Sequence, residues 1–221
     1  MNQHIDHHFD EALTSLKQQI LLMGSKVEAM VADCMKALKS RDAKLANSII
    51  EADHPINALE VAIDEQCIHL LARYQPAASD LRFITRGLKI VTDLERIGDL
   101  AVNSAQRVVD IINHGTAPID LGNMAMLVQK MLKDSLDAFV EMDAKKADSV
   151  LKSDDAVDDL TEKYVTELIG MATKSPASIN VIFPVTSLVR YLERIADHST
   201  NIAELAIYMV KGRDVRHGKP H

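Results

Sequence analysis

Tryptophan is absent from this 221-residue chain, and aromatic residues make up only 4% of it. Glycine (8 residues) and proline (6) are scarce as well. A fold rich in strands and tight turns draws on those residues, so their shortage points to long helices. The two cysteines, Cys34 and Cys67, form no CxxC or Cys/His metal pattern and read as small packing residues of a reducing compartment. There is no glycine-rich phosphate loop, no G-x-S-x-G and no Cys/His nucleophile arrangement, which removes common signatures of nucleotide binding and acyl transfer. No basic-then-apolar N-terminal stretch looks like a signal peptide, and no run approaches the ~20 apolar residues that span a bilayer. The expectation is a soluble, cytoplasmic protein that meets a membrane only through a partner. Basic charge is also short: 25 Lys and Arg against 32 Asp and Glu leave a net charge of −7, which argues against nucleic-acid binding.

What the chain does have is 47% apolar residues, mostly aliphatic, and a phrase written twice. Leu94-Glu95-Arg96-Ile97-Gly98-Asp99, with Asn103 and Ala105 beyond it, returns 98 residues later as Leu192-Glu193-Arg194-Ile195-Ala196-Asp197, with Asn201 and Ala203. The duplication is wider than the phrase. Met30 to Asp53 aligns on Met131 to Asp154 at an offset of 101, with Asp42/Asp143, Ala43/Ala144, Lys44/Lys145 and Asp53/Asp154 among the identities. The offset falls from 101 to 98 between the two blocks, so three residues are lost, most simply in the Pro76/Pro176 breaks, where an indel is tolerated. Self-similarity over this range implies two structural copies of one unit.

Each copy reads as three helices. The first has an apolar-periodic helix over Phe9–Lys39 and a second over Ala43–Tyr74, capped by Asp42 and kinked by Pro55, with Asp53 capping the stretch after the kink. A third, capped by Ser79 or Asp80, runs to about Asn113. The second copy repeats the order over 121–141, 143–173 and 178–211. The expected architecture is all-α, two tandem three-helix bundles without a sheet: 1–114, then 119–212, then a flexible tail 213–221, with 113–118 as linker and residues 1–8 loose.

Glu95, Asp99 and Asn103, and Glu193, Asp197 and Asn201, stand at i, i+4 and i+8, one line along a helix face. A 4-3 seam through Ile84, Leu88, Val91, Glu95, Gly98, Val102 and Ala105 places Glu95 among apolar or small residues, and Glu193 holds the same place in its copy. Such a carboxylate costs several kcal/mol unless paired, protonated or bound to metal. A second row could face the first: Asp53 and Asn57 in one copy, Asp154 and Asp158 in the other, each pair at i, i+4. Counted from the shared loop, Asp53 lies 22 residues back and Glu95 to Asp99 lie 19 to 23 forward; Asp154 and Asp158 lie 22 and 18 back, Glu193 and Asp197 17 and 21 forward. The rows therefore meet at one level of each bundle. An all-oxygen set suits Fe, Mn, Mg or Zn without choosing among them. The bland alternative is that Glu95 and Glu193 are paired by Arg96, Arg194, Arg86 or Arg190, or simply reach solvent. Weaker candidates are Glu51-x-x-His54, which has no second copy, the terminal His4, His7 and His8, and an anion-attracting face of Arg73, Arg82, Arg86 and Lys89.

The chain resembles the PhoU family, regulators attached to bacterial high-affinity phosphate transport. The resemblance rests on Phe9-Asp10-Glu11 with Met23-Gly24, Gln75-Pro76 with Asp80-Leu81-Arg82, Leu88-Lys89-Ile90-Val91, and both Leu-Glu-Arg-Ile phrases with their repeated acidic motif. It implies pseudo-twofold symmetry between the two bundles and iron or zinc at the acidic motifs. It also implies a non-enzymatic adaptor, expected as a homodimer, that represses the phosphate-starvation response between the transporter ATPase and a membrane sensor histidine kinase. Asn57 stands where the family usually has an acid, so the first site is expected to bind metal more weakly than the second, and Leu100 stands where the second copy has His198, which removes one possible ligand. A carboxylate-bridged metalloenzyme or a metal-storage bundle is the competing reading.

Overall fold

In a computed structural model, the chain is described over residues 2–212, with side chains from residue 7 onward. The tail 213–221 and the side chain of His4 lie outside the described residues. The first copy comprises α1 (Asn2–Ser40), α2 (Ala43–Glu51), α3 (Asp53–Tyr74) and α4 (Ala78–His114). The second comprises α5 (Gly122–Glu141), α6 (Ala144–Lys174) and, after a 3-10 turn at Pro176–Ser178, α7 (Ile179–Lys211). No strand occurs among the described residues. None of their helices is long and apolar enough to cross a membrane.

Local chemistry explains most boundaries. Asp42 and Asp143 cap α2 and α6, each accepting from two backbone N–H groups (Lys44 and Leu45, both 3.0 Å; Lys145 and Lys146, 2.8 and 3.1 Å). Those N–H groups hold the exposed Asp143 carboxyl below the usual range. Pro55 splits the second helix of the first copy: its ring crowds the Glu51 carbonyl and offers it no N–H, so the chain breaks at Ala52 and restarts with Pro55 in the first turn. The second copy has Ala156 there, and α6 runs unbroken. Three expected termini differ. Asp53 does not cap α3, since the cap position is Ala52. Neither Ser79 nor Asp80 caps α4, because the preceding extended residue is Ala77. Helix α1 already begins at Asn2, where looseness was expected. The three-residue indel is the linker Gln75–Ala77, which has no counterpart between α6 and the turn at Pro176.

Within a copy every helix packs on the others; between copies, α4 packs on α7 and α1 on α5. Both cross-copy contacts join equivalent helices, as a twofold axis requires. The α4–α7 pair runs antiparallel. Val181 lies 3.1 Å from where a Gly115 Cβ would stand, and at the other end the Arg86 guanidinium covers the Tyr208 ring at 4.0 Å. Its deep stripe is Ile90, Leu94, Ile97, Ala101, Ser104, Val108 and Ile111, matched 98 residues later by Leu188, Leu192, Ile195, Ser199, Ile202, Ala206 and Met209, all buried. The expected seam through Glu95 is therefore rotated: Glu95 and Glu193 stand on the shoulder of the stripe, with side chains 15% and 24% exposed.

Candidate metal centre

Helices α3 and α4 approach closely at the acidic rows because Gly98 carries no side chain. A Cβ there would stand 3.3 Å from Ile56 Cγ2. The second copy keeps the same order with a smaller contrast: Ala196 replaces Gly98, and Val157 replaces Ile56. Both pairs are buried, so small-against-large packing fixes the height at which the rows meet.

In the second copy, Asp154 and Asp158 of α6 face Glu193 and Asp197 of α7. Burial pushes the Asp154 carboxyl up to about 6, and Asp158, Asp197, Asp155 and Glu193 add repulsion in that order. Asp197 is also raised, by burial, then Glu193 and Asp158, against the opposing pull of His198 and Arg194. Asp154 Oδ1 is buried and has no hydrogen-bond partner. Beside these groups lies a cleft of about 300 Å3 lined by Asp158, Thr161, Arg190 and Glu193. The buried Thr161 Oγ1 is likewise unpartnered.

The first copy assembles a similar cluster with a different fourth acid. Burial raises Glu95, reinforced by Asp99 and opposed by Arg96, with Glu60 and Asp53 further like charges. Glu60 is raised in turn, by burial and Asp64, with Asp99 contributing. Asn57 donates through Nδ2 to Asp53 Oδ2 at 2.9 Å, leaving its own buried Oδ1 without a partner. Where Asn57 replaces an acid, Glu60 replaces Thr161, so each cluster holds four carboxylates. The first site is therefore not short of charge. Glu60 is visible in the sequence as the next member of the row after Asp53 and Asn57, at helical spacing.

The expected ion-pairing arginines are partly present. Arg96 meets Glu95 at 3.4 Å and Asp99 at 3.3 Å, and Arg190 meets Glu193 at 3.0 Å. Both arginines are more than half exposed and reach over the rim, where such pairs contribute little. Asn201 is engaged outside its row. Asn201 donates to Asp93 Oδ1 at 3.2 Å, joining His198 Nδ1 at 2.9 Å in a contact that links α7 to α4 across the copies. Asn103 is half-buried and makes no hydrogen bond with a described residue. His198 thus serves the cross-copy contact; Leu100 and Tyr191 stand in the equivalent places of His198 and Asp93. Glu51 and His54 are exposed, and His7 and His8 pair locally with Glu11. Among the described residues, no three His, Cys, Asp or Glu side chains converge as a closed ligand set. The donors nevertheless fit a hard cation: all are oxygens, mutually repelling, with buried lone pairs unused.

The PhoU domain family model matches residues 20–108 and 121–206. The phosphate-specific transport system accessory protein PhoU homolog of Pseudomonas aeruginosa is 41% identical over 220 residues, covering 98% of this chain and 91% of that protein. The Escherichia coli K12 protein called phosphate-specific transport system accessory protein PhoU is 35% identical over 219 residues, with 98% and 91% covered. The crystal structure of PhoU from Pseudomonas aeruginosa superposes with a TM-score of 0.90 at 41% identity, over 93% of this chain and all (100%) of that one. That of the phosphate transport system regulatory protein PhoU from Streptococcus pneumoniae gives 0.87 at 34% identity, over 94% and 99%.

Proposed function

The chain belongs to the PhoU family, and on that footing we propose that it is a non-enzymatic accessory protein of a phosphate transport system. It acts as a metal-loaded adaptor that restrains the phosphate-starvation response, standing between the transporter ATPase and a sensor histidine kinase. The observation that carries the metal in this reading is the orphaned, buried Oδ1 of Asp154 among Asp158, Glu193 and Asp197. Relatives named for the transport system, matched along nearly the whole chain, support the regulatory part.

Asp154, Asp158, Glu193 and Asp197 would hold one centre, and Asp53, Glu60, Glu95 and Asp99 the other, with Asn57 Oδ1 as a neutral donor. A bound iron or zinc ion supplies positive charge that cancels the mutual repulsion of the rows. The carboxylates each tie two helices together, α3 to α4 or α6 to α7, so loading braces each bundle at mid-height. Arg96 and Arg190 stay at the rim as exposed counter-charges.

Elemental analysis of untagged protein tests the metal: the wild type is expected to carry iron or zinc, and Asp154→Ala/Glu193→Ala to lose the second site's share. Equal metal content in the two would overturn the assignment. Deletion of the gene should derepress phosphate-regulated genes in phosphate-rich medium; unchanged expression would remove the regulatory role.

A further inference from the structure

The pseudo-twofold axis relates two ends of the molecule that are filled differently. At one end Phe83 of α4 stacks on Phe139 of α5, ring centroids 5.4 Å apart and planes 17° from parallel. Lys17 Nζ lies 5.1 Å over the Phe83 ring, and the space left there is about 150 Å3. The repeat equivalents of these two rings are Val181 and Leu38. At that end a cavity of about 650 Å3 opens among Met35, Leu38, Ile112, Leu121, Ala125 and Met126. Its volume falls in the range of roughly 300–1,000 Å3 typical of sites that bury an organic group.

The mouth of this cavity has a distinct charge. Lys36 and Lys39 line it, both exposed and neither in an ion pair with a described residue. Arg41 is committed elsewhere: its guanidinium donates to the Ile112 carbonyl at 3.0 Å, to Thr116 Oγ1 at 2.7 Å and to the Gly115 carbonyl. One carboxylate, Asp120, shares the rim and accepts from the Gly122 N–H. Met126 stands 65% exposed at the opening. On a chain of net charge −7, two unpaired ammonium groups beside an apolar hollow select an occupant that is apolar at its tip and acidic at its flanks.

We propose that this cavity is the docking site for an acidic segment of a partner protein, which inserts one aromatic side chain beside Leu38, where Phe139 supplies a ring at the other end. The segment's carboxylates meet Lys36 and Lys39, and its ring packs on Met35, Leu38 and Met126, sulfur against aromatic edge. The proposal is independent of metal loading, since the cavity shares no residue with either acidic cluster.

The test uses the full chain with methyl-labelled methionine, titrated with a short synthetic peptide carrying one phenylalanine between acidic residues. Saturable shifts of the Met35 and Met126 methyl signals are expected, weakened by added salt. Binding should fall at least about tenfold when the peptide's phenylalanine becomes serine or its acids become lysines, and equally in Lys36→Glu/Lys39→Glu protein. Leu38→Phe, at a position that lines the hollow, fills it from within and should abolish binding. Should it fold poorly through overpacking, Met126→Glu, at an exposed position, is expected to give the same loss. The proposal is overturned if the acidic aromatic peptide moves neither methyl, or if the lysine peptide binds as well. It is equally overturned if 3-phenylpropionate alone binds as tightly as the peptide, or if the methyls shift with protein concentration alone as a second copy covers the face.

Discussion

Replacing Asp154 by asparagine should stabilise the metal-free protein at neutral pH, against the usual expectation for a half-buried polar site. In the folded chain the Asp154 carboxyl sits at about 6 against its ordinary 3.8, raised by burial and four neighbouring carboxylates. Its folded pKa is raised, so the native state holds the proton more tightly than the unfolded chain does. The penalty is therefore absent below about pH 4, develops as pH rises towards 6, and is complete above that. Taken at face value the shift corresponds to about 3 kcal/mol, and solvent screening of a partly exposed group reduces it to roughly 1–2 kcal/mol. The amide keeps the shape of the carboxylate and loses its charge, so Asp154→Asn should gain about 2–8 °C in Tm at pH 7.5, at 2–4 °C per kcal/mol for a chain this size. Thermal unfolding followed by circular dichroism in chelator, at pH 4.0 and 7.5, measures this directly. At pH 4.0 the two proteins should melt together. Added zinc or iron should reverse the order at pH 7.5, because only the wild type has the full carboxylate set to bind it. A variant that melts below the wild type in chelator at pH 7.5 would refute the repulsion argument and give Asp154 a structural hydrogen bond instead.

Four further outcomes rest on packing and burial. Gly98→Ala gains about 1 kcal/mol of helix propensity but loses more by crowding Ile56, so denaturant melts should show net destabilisation. The crowded atom is Ile56 Cγ2, which valine keeps, so Ile56→Val should not rescue Gly98→Ala; Ile56→Ala removes that atom, and a double-mutant cycle with it should return a favourable coupling of at least about 0.5 kcal/mol. Arg41→Ala removes the bonds that close the end of α4 onto the inter-copy linker; a loss of about 1–2 kcal/mol is expected, with faster amide exchange over 113–121. Cys34 and Cys67 are buried, their thiols pushed up to about 12 by burial, with Asp64 adding to the effect at Cys67, so both should resist thiol reagents until the protein unfolds.

Where a feature depends on neighbours in the chain, the sequence carries it openly. The Asp42 and Asp143 caps, the break ahead of Pro55 and the three-residue indel at Gln75–Ala77 all arise from local chemistry. The height at which the acidic rows meet was legible too, because counting from a shared loop is a one-dimensional problem. The rotation of α4 was not. A 4-3 pattern fits two adjacent stripes of this helix, one through Glu95 and one through Leu94, and both are largely apolar because α4 packs on neighbours in several directions. Only three-dimensional packing decides which stripe lies deepest. Asn201 escaped for a related reason: its partner, Asp93, belongs to the other copy, and no spacing within one copy announces it. Glu60 stands one helical turn beyond Asn57 in the sequence, but that it offsets Asn57 emerges only when Thr161 is seen at the same place opposite.

A homodimer must carry every substitution twice and so presents the same end to the world in duplicate. Two unlike copies in one chain are free of that constraint. Here one end is sealed by the Phe83–Phe139 stack and the other is left open beside Lys36 and Lys39, while the middle keeps two matched carboxylate clusters. The molecule has a polarity that two identical units could not possess: a front and a back, mounted on a middle that carries four carboxylates in each half.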